Sequence, residues 1–335
     1  MIGAGSWGTT VAAFAARSTP TVLWARRPEL AAEMNETREN RTYLPGFELP
    51  AALTSTSDLD AVIETSAALV MAVPSHGFRE VYSRIAGRLG EEVPVLSLTK
   101  GIEQETLATM TQIVAEISPG MDPSLIGVMT GPNLATEVAA GQPTATVIAM
   151  ADQPTARRFQ DVFMGPTFRV YTHDDVVGCE LGGALKNVMA IAAGMSDGLG
   201  FGDNTRATLI TRALAELTRL GVALGGRPAT FAGLAGMGDL IATCISTASR
   251  NHQVGVGLAS GKTLTEVVNE MRMVAEGVKT TRAVLDLAER SEIEMPIASH
   301  VGHVLYDGLD PKQAVLRLMT REAKQEDLRW RPTRL

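Results

Sequence analysis

The chain has 335 residues, 45% of them hydrophobic and 20% charged, enough apolar material for two packed domains and too much for a disordered polymer. A net charge of −7 argues against a nucleic-acid partner gripped by a broad basic face, so any anionic ligand must be held by locally clustered Lys or Arg. The two cysteines, Cys179 and Cys244, lack Cys/His or C-x-x-C spacing, which argues against a metal site or disulfide framework and points to a reducing, cytoplasmic setting; no apolar run is expected to approach the length of a membrane span.

The first segment with a function written into it is Gly3-Ala4-Gly5-Ser6-Trp7-Gly8, a G-x-G-x-x-G run that opens onto the apolar stretch Val11 to Ala16, read as a helix. Backbone N–H groups at such a glycine-lined helix start can hold a pyrophosphate, so a dinucleotide is expected there. Only Met1 and Ile2 precede Gly3, whereas such a fold wants a buried first strand of about five residues. The expectation is that a few native residues are missing before Met1, leaving the central strand incomplete and the loop chemistry intact. A strand-like segment, Thr21 to Trp24, follows at the spacing of a βαβ unit. Its end carries Arg26-Arg27 where an NAD site usually places an acidic residue, which favours a 2′-phosphate and hence NADP(H) over NAD(H).

Short, continuous apolar runs then recur at 68–73, 93–98, 125–129, 145–150 and 168–171, the pattern of strands buried on both faces of a mainly parallel sheet with helices between them. Pro74-Ser75-His76 reads as a turn. Lys100 follows one strand at the edge where open α/β sheets bind ligands, and by itself it reads equally as a solvated loop residue. Gly131-Pro132-Asn133-Leu134-Ala135 offers a tight turn whose amides could face a ligand.

From about Val176 the spacing turns helical, with stretches at 178–195, 205–220, 263–270 and 277–290, so the expected division is 1–175 for a dinucleotide-binding α/β domain and 176–335 for an all-helical one. On the helix Gly183 to Gly194, the neighbours of Lys186 one turn away are small or apolar, and none of them neutralises it. Desolvation would lower its pKa toward a range useful for proton transfer, while a lysine snorkelling out of a buried helix is the equally weighted alternative. Asp239, in Gly236-Met237-Gly238-Asp239-Leu240, reads first as a helix cap. Ser249-Arg250-Asn251 combines an N-cap with a guanidinium, a pairing suited to phosphate and also common on surfaces. The Arg-rich tail 329–334 reads as a loose end.

Together with Ser97 to Glu103 and Ala275-Glu276-Gly277, these segments resemble, in order and over nearly the whole chain, the bacterial NAD(P)-dependent glycerol-3-phosphate dehydrogenase family. The resemblance implies a Rossmann-type N-terminal domain, an all-α C-terminal domain of the 6-phosphogluconate dehydrogenase-like type, and the reversible NAD(P)H-dependent reduction of dihydroxyacetone phosphate to sn-glycerol 3-phosphate, the backbone of glycerophospholipids. It implies that Lys186 is the proton-transfer residue. Lys100, Gly131, Asn133, Asp239, Ser249, Arg250 and Asn251 would line the substrate pocket with Lys186. Gly3, Gly5, Ser6, Trp7, Gly8, Arg26, Arg27, Lys100, Ala135, Arg250, Val274 and Glu276 would contact the cofactor. A cytoplasmic homodimer without metal, nucleic acid or membrane span is part of the same expectation. Two positions depart from the family: Asn133 stands where relatives usually carry Ser or Thr, and Leu134 where an aromatic is usual, which implies a tuned pocket in which Asn133 still donates a hydrogen bond. The rival readings are a dehydrogenase of 3-hydroxy acids or 6-phosphogluconate, separable by its carboxylate substrate, and an NADP(H)-binding sensor without turnover, against which the presence of both lysines argues.

Overall fold

The computed structural model describes residues 1–64, 66–271, 275–323 and 325–326. The chain forms two compact units, one of residues 1–99 and 109–176, the other of residues 100–108 and 177 onward. The tail 329–334 lies outside the described residues.

The first unit runs α1 (Ser6–Ala15), β1 (Thr21–Trp24), α2 (Pro28–Thr37), β2 (Glu39–Asn40), β3 (Leu44–Glu48), β4 (Leu53–Thr56), α3 (Leu59–Ile63), β5 (Leu69–Met71), α4 (Phe78–Ala86), β6 (Val95–Ser97), α5 (Met110–Ile117), β7 (Ile126–Thr130), α6 (Ala135–Ala139), β8 (Thr144–Met150), α7 (Gln153–Phe163) and β9 (Phe168–His173). Strands β5 to β9 lie side by side in that order, all parallel except the β7–β8 pair, and β1 pairs in parallel with β4. Ile2 joins the two groups through parallel bridges to Trp24 and Met71. Ile2 N–H donates to Val70 O at 2.8 Å, Ala72 N–H to Ile2 O at 2.8 Å, Trp24 N–H to Met1 O at 2.8 Å and Gly3 N–H to Trp24 O at 3.1 Å. The sheet order is therefore β4, β1, Met1–Gly3, β5, β6, β7, β8, β9. The central strand is as short as the sequence implies, yet it hydrogen-bonds both neighbours, so the sheet is continuous at its centre. Every residue of β5, β6 and β7 is buried, as their unbroken apolar runs require when helices cover both faces. Pro74-Ser75-His76 enters a single 3₁₀ turn, Ser75–Gly77.

The second unit is built from α8 (Val176–Gly198), α9 (Asp203–Ala223), α10 (Pro228–Phe231), a π-helical turn (Leu234–Gly238), α11 (Asp239–Ile245), α12 (Arg250–Ala259), α13 (Leu264–Glu270), α14 (Glu276–Arg290), α15 (Pro296–Tyr306) and α16 (Pro311–Met319). Helix α8 is its axis, buried without a break from Gly178 to Ser196. A helix hydrophobic all round needs close neighbours, and glycines provide them. A Cβ on Gly182 would stand 2.5 Å from Ala235 O, and one on Gly194 would stand 2.0 Å from His252 O. Two stretches, Val176–Gly198 and Pro228–Ile245, are in fact long and apolar enough by composition to cross a membrane. Interspersed Gly, Ala and single polar residues hide them from a search for unbroken runs. In α8, 89% of the apolar window is buried within the protein, the signature of a core helix.

Candidate active site

In the sheet unit each glycine of the first loop meets a separate steric demand. Gly3 has φ +113°, and a Cβ there would lie 2.6 Å from Ala72 O. A Cβ on Gly8 would lie 2.0 Å from Gly3 O, so α1 can approach the loop this closely only without a side chain. Around Gly5, by contrast, the space within 4 Å of a Cβ is open, which leaves room for a ligand against the backbone. Helix α1 starts with no side-chain cap and no acidic residue in its first turn, so its N-terminal amides keep their affinity for an anion. The loop is clasped from outside: Ser6 Oγ donates to Tyr43 O at 2.6 Å, and buried Asn40 donates to Ala4 O at 3.0 Å and to Thr9 Oγ1 at 2.8 Å. Trp7 stands edge-on to Phe168 at 6.3 Å, and its buried Nε1–H has no partner among the described residues. Arg26 and Arg27 are exposed just beyond β1, with Arg27 over the Tyr43 ring at 5.8 Å. An open cradle, an uncapped helix start, an orphaned donor and two guanidiniums fit a dinucleotide. Ala135 opens α6 beside α1, where Thr10 Oγ1 donates to its carbonyl at 3.4 Å. Gly131 has φ +144°. Asn133 Nδ2 donates to Thr146 Oγ1 at 2.8 Å, and the buried atom left without a partner among the described residues is the acceptor Oδ1.

The helical unit holds a charge cluster. Lys100 belongs to this unit through the segment 100–108, and its Nζ donates to Asp239 Oδ2 at 2.6 Å. Lys186 Nζ donates to the other oxygen, Asp239 Oδ1, and to Thr243 Oγ1 at 2.6 Å; Thr243 Oγ1 in turn donates to Asp239 O at 2.7 Å. The Asp239 side chain is 2% exposed, that of Lys186 7% and that of Lys100 18%. The lysine that could have snorkelled is thus held inside, and the aspartate read first as a cap bridges two ammonium groups. Burial pushes the Lys186 pKa down to about 8; Asp239 opposes this and the Lys100 charge adds to it. Two ammonium groups held on one buried carboxylate place positive charge in a low-dielectric setting, which suits a developing oxyanion. Cys244, next in the chain after Thr243, is pushed up to about 12 by burial and is inert as a thiolate.

Ser249 caps α12, accepting from His252 N–H at 3.3 Å. Arg250, the first residue of that helix, has an exposed side chain within electrostatic reach of the Glu276 carboxylate at the start of α14. Asn251 is buried and hydrogen-bonded to Asn187 and Gly277. Of the residues singled out in the sequence, the helical unit therefore gathers Lys100, Lys186, Asp239, Ser249, Arg250, Asn251 and Glu276, while Gly3, Gly5, Ser6, Trp7, Gly8, Arg26, Arg27, Gly131, Asn133 and Ala135 lie in the sheet unit. Val274 lies outside the described residues. Sequence reasoning missed Thr243 and Asn187 in the helical unit and the clasp of Asn40 and Tyr43. For Thr243 a signal existed: it stands four positions after Asp239 on one helix face.

Residues 1–156 match the family model of the NAD-dependent glycerol-3-phosphate dehydrogenase N-terminus, and residues 175–316 that of the NAD-dependent glycerol-3-phosphate dehydrogenase C-terminus. The glycerol-3-phosphate dehydrogenase (NAD(P)+) 2 of Sphingopyxis alaskensis is 54% identical over 301 residues, 90% of each chain. The chain belongs to the NAD-dependent glycerol-3-phosphate dehydrogenase family. The glycerol-3-phosphate dehydrogenase (NAD(P)+) of Citrifermentans bemidjiense is 50% identical over 97% of this chain and 98% of its own. The crystal structure of the glycerol-3-phosphate dehydrogenase of Coxiella burnetii is similar with a TM-score of 0.91 at 38% identity, covering 96% of this chain and 98% of that one. The family expected from the motifs, its NAD(P) dependence and the pairing of an α/β domain with a helical domain are borne out.

Proposed function

We propose that this chain catalyses the reversible reduction of dihydroxyacetone phosphate to sn-glycerol 3-phosphate with NAD(P)H, and so supplies a glycerophospholipid backbone. The observation that carries the reading is Lys186: a buried ammonium, gripped by Asp239 and Thr243 and tuned to about 8, in a chain of this family. The chemistry supplied by bound NAD(P)H is hydride donation to the C2 carbonyl carbon. Lys186 meets the negative charge that grows on the carbonyl oxygen and then gives that oxygen a proton. A pKa near 8 keeps the ammonium charged at neutral pH while making it a better acid than an ordinary lysine. Asp239 and Thr243 hold Nζ in place, and Lys100 adds a second positive charge. Arg250, at the start of α12, takes the phosphate, with Gly131, Asn133, Ser249 and Asn251 completing the substrate contacts.

Ser6, Trp7 and the three loop glycines hold the pyrophosphate side of the cofactor, Arg26 and Arg27 favour a 2′-phosphate, and Ala135 and Glu276 contribute further contacts. The protein is cytoplasmic in this reading, in line with two buried cysteines outside any disulfide, and forms a homodimer, which light scattering after size exclusion tests. The decisive assay follows NADPH and NADH absorbance with dihydroxyacetone phosphate. Turnover is expected with this substrate, faster with NADPH at low cofactor concentration. Activity confined to a 3-hydroxy acid, or cofactor binding with no turnover, refutes the proposal.

A further inference from the structure

Three buried polar groups, one of them the residue after Lys186 on α8, are chained with a single polarity. The backbone N–H of Gly277, second residue of α14, donates to Asn251 Oδ1 at 2.9 Å, and Asn251 Nδ2 donates to Asn187 Oδ1 at 3.0 Å. A carboxamide is ordinarily ambiguous, since its oxygen and nitrogen look alike. Here one end of the chain is a backbone N–H, which can only donate. It obliges Asn251 to turn its oxygen toward Gly277 and its NH2 toward Asn187, and Asn187 then has to offer its oxygen to Asn251 and keep its NH2 for other partners. Asn187 and Asn251 are 5% and 7% exposed, so flipping either would leave like groups facing each other out of water, at the cost of an unmade buried hydrogen bond. The approach also requires glycine: a Cβ at 277 would stand 2.6 Å from Asn187 O and 2.8 Å from Asn251 Oδ1.

We infer that Gly277 is a positioning residue of the substrate site, its backbone N–H locking Asn251 and Asn187 so that each keeps an amide N–H to donate. The inference deepens the proposed function and rests on it. Lys100, Lys186 and Arg250 add further donors, and the Asp239 carboxylate already accepts from both lysines, so this set of groups favours a small molecule rich in acceptor oxygens, as a keto phosphate is. The same N–H ties the first turn of α14, which carries Glu276, to α12 and α8.

The test is a double-mutant cycle read in the KM for dihydroxyacetone phosphate at saturating NADPH, with circular dichroism confirming that each variant is folded. Gly277→Ala is expected to raise KM about tenfold, as is Asn251→Ala, in keeping with the loss of one hydrogen bond to a charged ligand. In the Asn251→Ala background, Gly277→Ala is expected to add less than about twofold, because the group it acts through is gone. Additive effects, or a Gly277→Ala effect confined to kcat or to the KM for NADPH, overturn the inference. If Gly277→Ala does not fold, Asn251→Asp decides: the carboxylate still accepts from Gly277 but has nothing to donate, so Asn187 turns its oxygen away from it. A KM raised about tenfold with NADPH affinity retained supports the lock, and an unchanged KM overturns it. A parent enzyme without turnover of dihydroxyacetone phosphate overturns the substrate reading and this inference together, whereas additive variants of an active parent overturn this inference alone.

Discussion

The glycine loop and the lysine cluster are built on opposite principles. The loop works through backbone: Gly3, Gly5 and Gly8 matter for the side chains they lack, and they sit within one stretch of six residues. The cluster works through side-chain charge drawn from distant parts of the chain, with Asp239 lying 139 residues from Lys100 and 53 from Lys186. A backbone cradle fails by steric intrusion, whereas a charge cluster fails by imbalance. The two should therefore break in separable ways, one in cofactor affinity and the other in turnover and its pH dependence.

The largest effect is expected from Lys186→Ala, which should lower kcat about 10³–10⁴-fold with NADPH binding retained by fluorescence titration. A rate within about tenfold of the parent would remove this amine from the chemistry. Gly8→Ala should act in the opposite sense, raising the KM for NAD(P)H roughly 10–100-fold through the collision with Gly3 O, and leaving the pH profile of kcat where it was.

The pH profile sharpens the contrast. With Lys186 at about 8, reduction needs the protonated amine, so its kcat should fall as pH rises through about 8, while oxidation of glycerol 3-phosphate, which needs the neutral amine, should climb over the same range. Asp239 raises the Lys186 pKa, so Asp239→Asn should move both limbs to lower pH by about one unit or more, and limbs that stay put would show that Asp239 does not set them.

The smallest effect concerns stability in the same unit. Glu216, 3% exposed, accepts the N–H groups of Ile297 at 2.9 and 3.1 Å and of Ala298 at 3.3 Å, and burial pushes its pKa up to about 7. A carboxyl raised in the folded state contributes stability that is complete below its unfolded value of 4.5 and is lost as pH rises through about 7. The parent should lose about 2–4 °C of Tm between pH 6 and 8, measured by calorimetry, and Glu216→Gln should flatten that slope without moving the kcat limb at about 8. A limb that moved with Glu216 would mean that the unit titrates as one body and that the cluster is not electrostatically separate.

The parts legible in the sequence were those encoded locally. Buried strands announced themselves as unbroken apolar runs, and β5 to β9 lie within a few residues of those runs. Strand β4, Leu53-Thr54-Ser55-Thr56, and the hairpin of β2 and β3 escaped because half-polar, partly exposed strands carry no such run. Periodicity marked α8, α9, α13 and α14, but not the stretch from α10 through the π-turn to α11, where glycines obscure the repeat. The sequence implies that Asn133 donates a hydrogen bond, and it does so to the neighbouring Thr146, through Nδ2.

By itself the sequence determined the glycine loop, the arginines that follow β1, the alternation of buried strands with helices and the change to helix beyond Val176, because each depends on residues close together in the chain. Only the tertiary structure decided that Met1–Gly3 would complete the sheet between β1 and β5, that Lys100 would leave the sheet unit to join Asp239, and that Lys186 would stay inside. Burial and pairing of a charge depend on which groups arrive from far along the chain, and desolvation, the largest influence on the Lys186 proton, does not exist until the helices have packed around it.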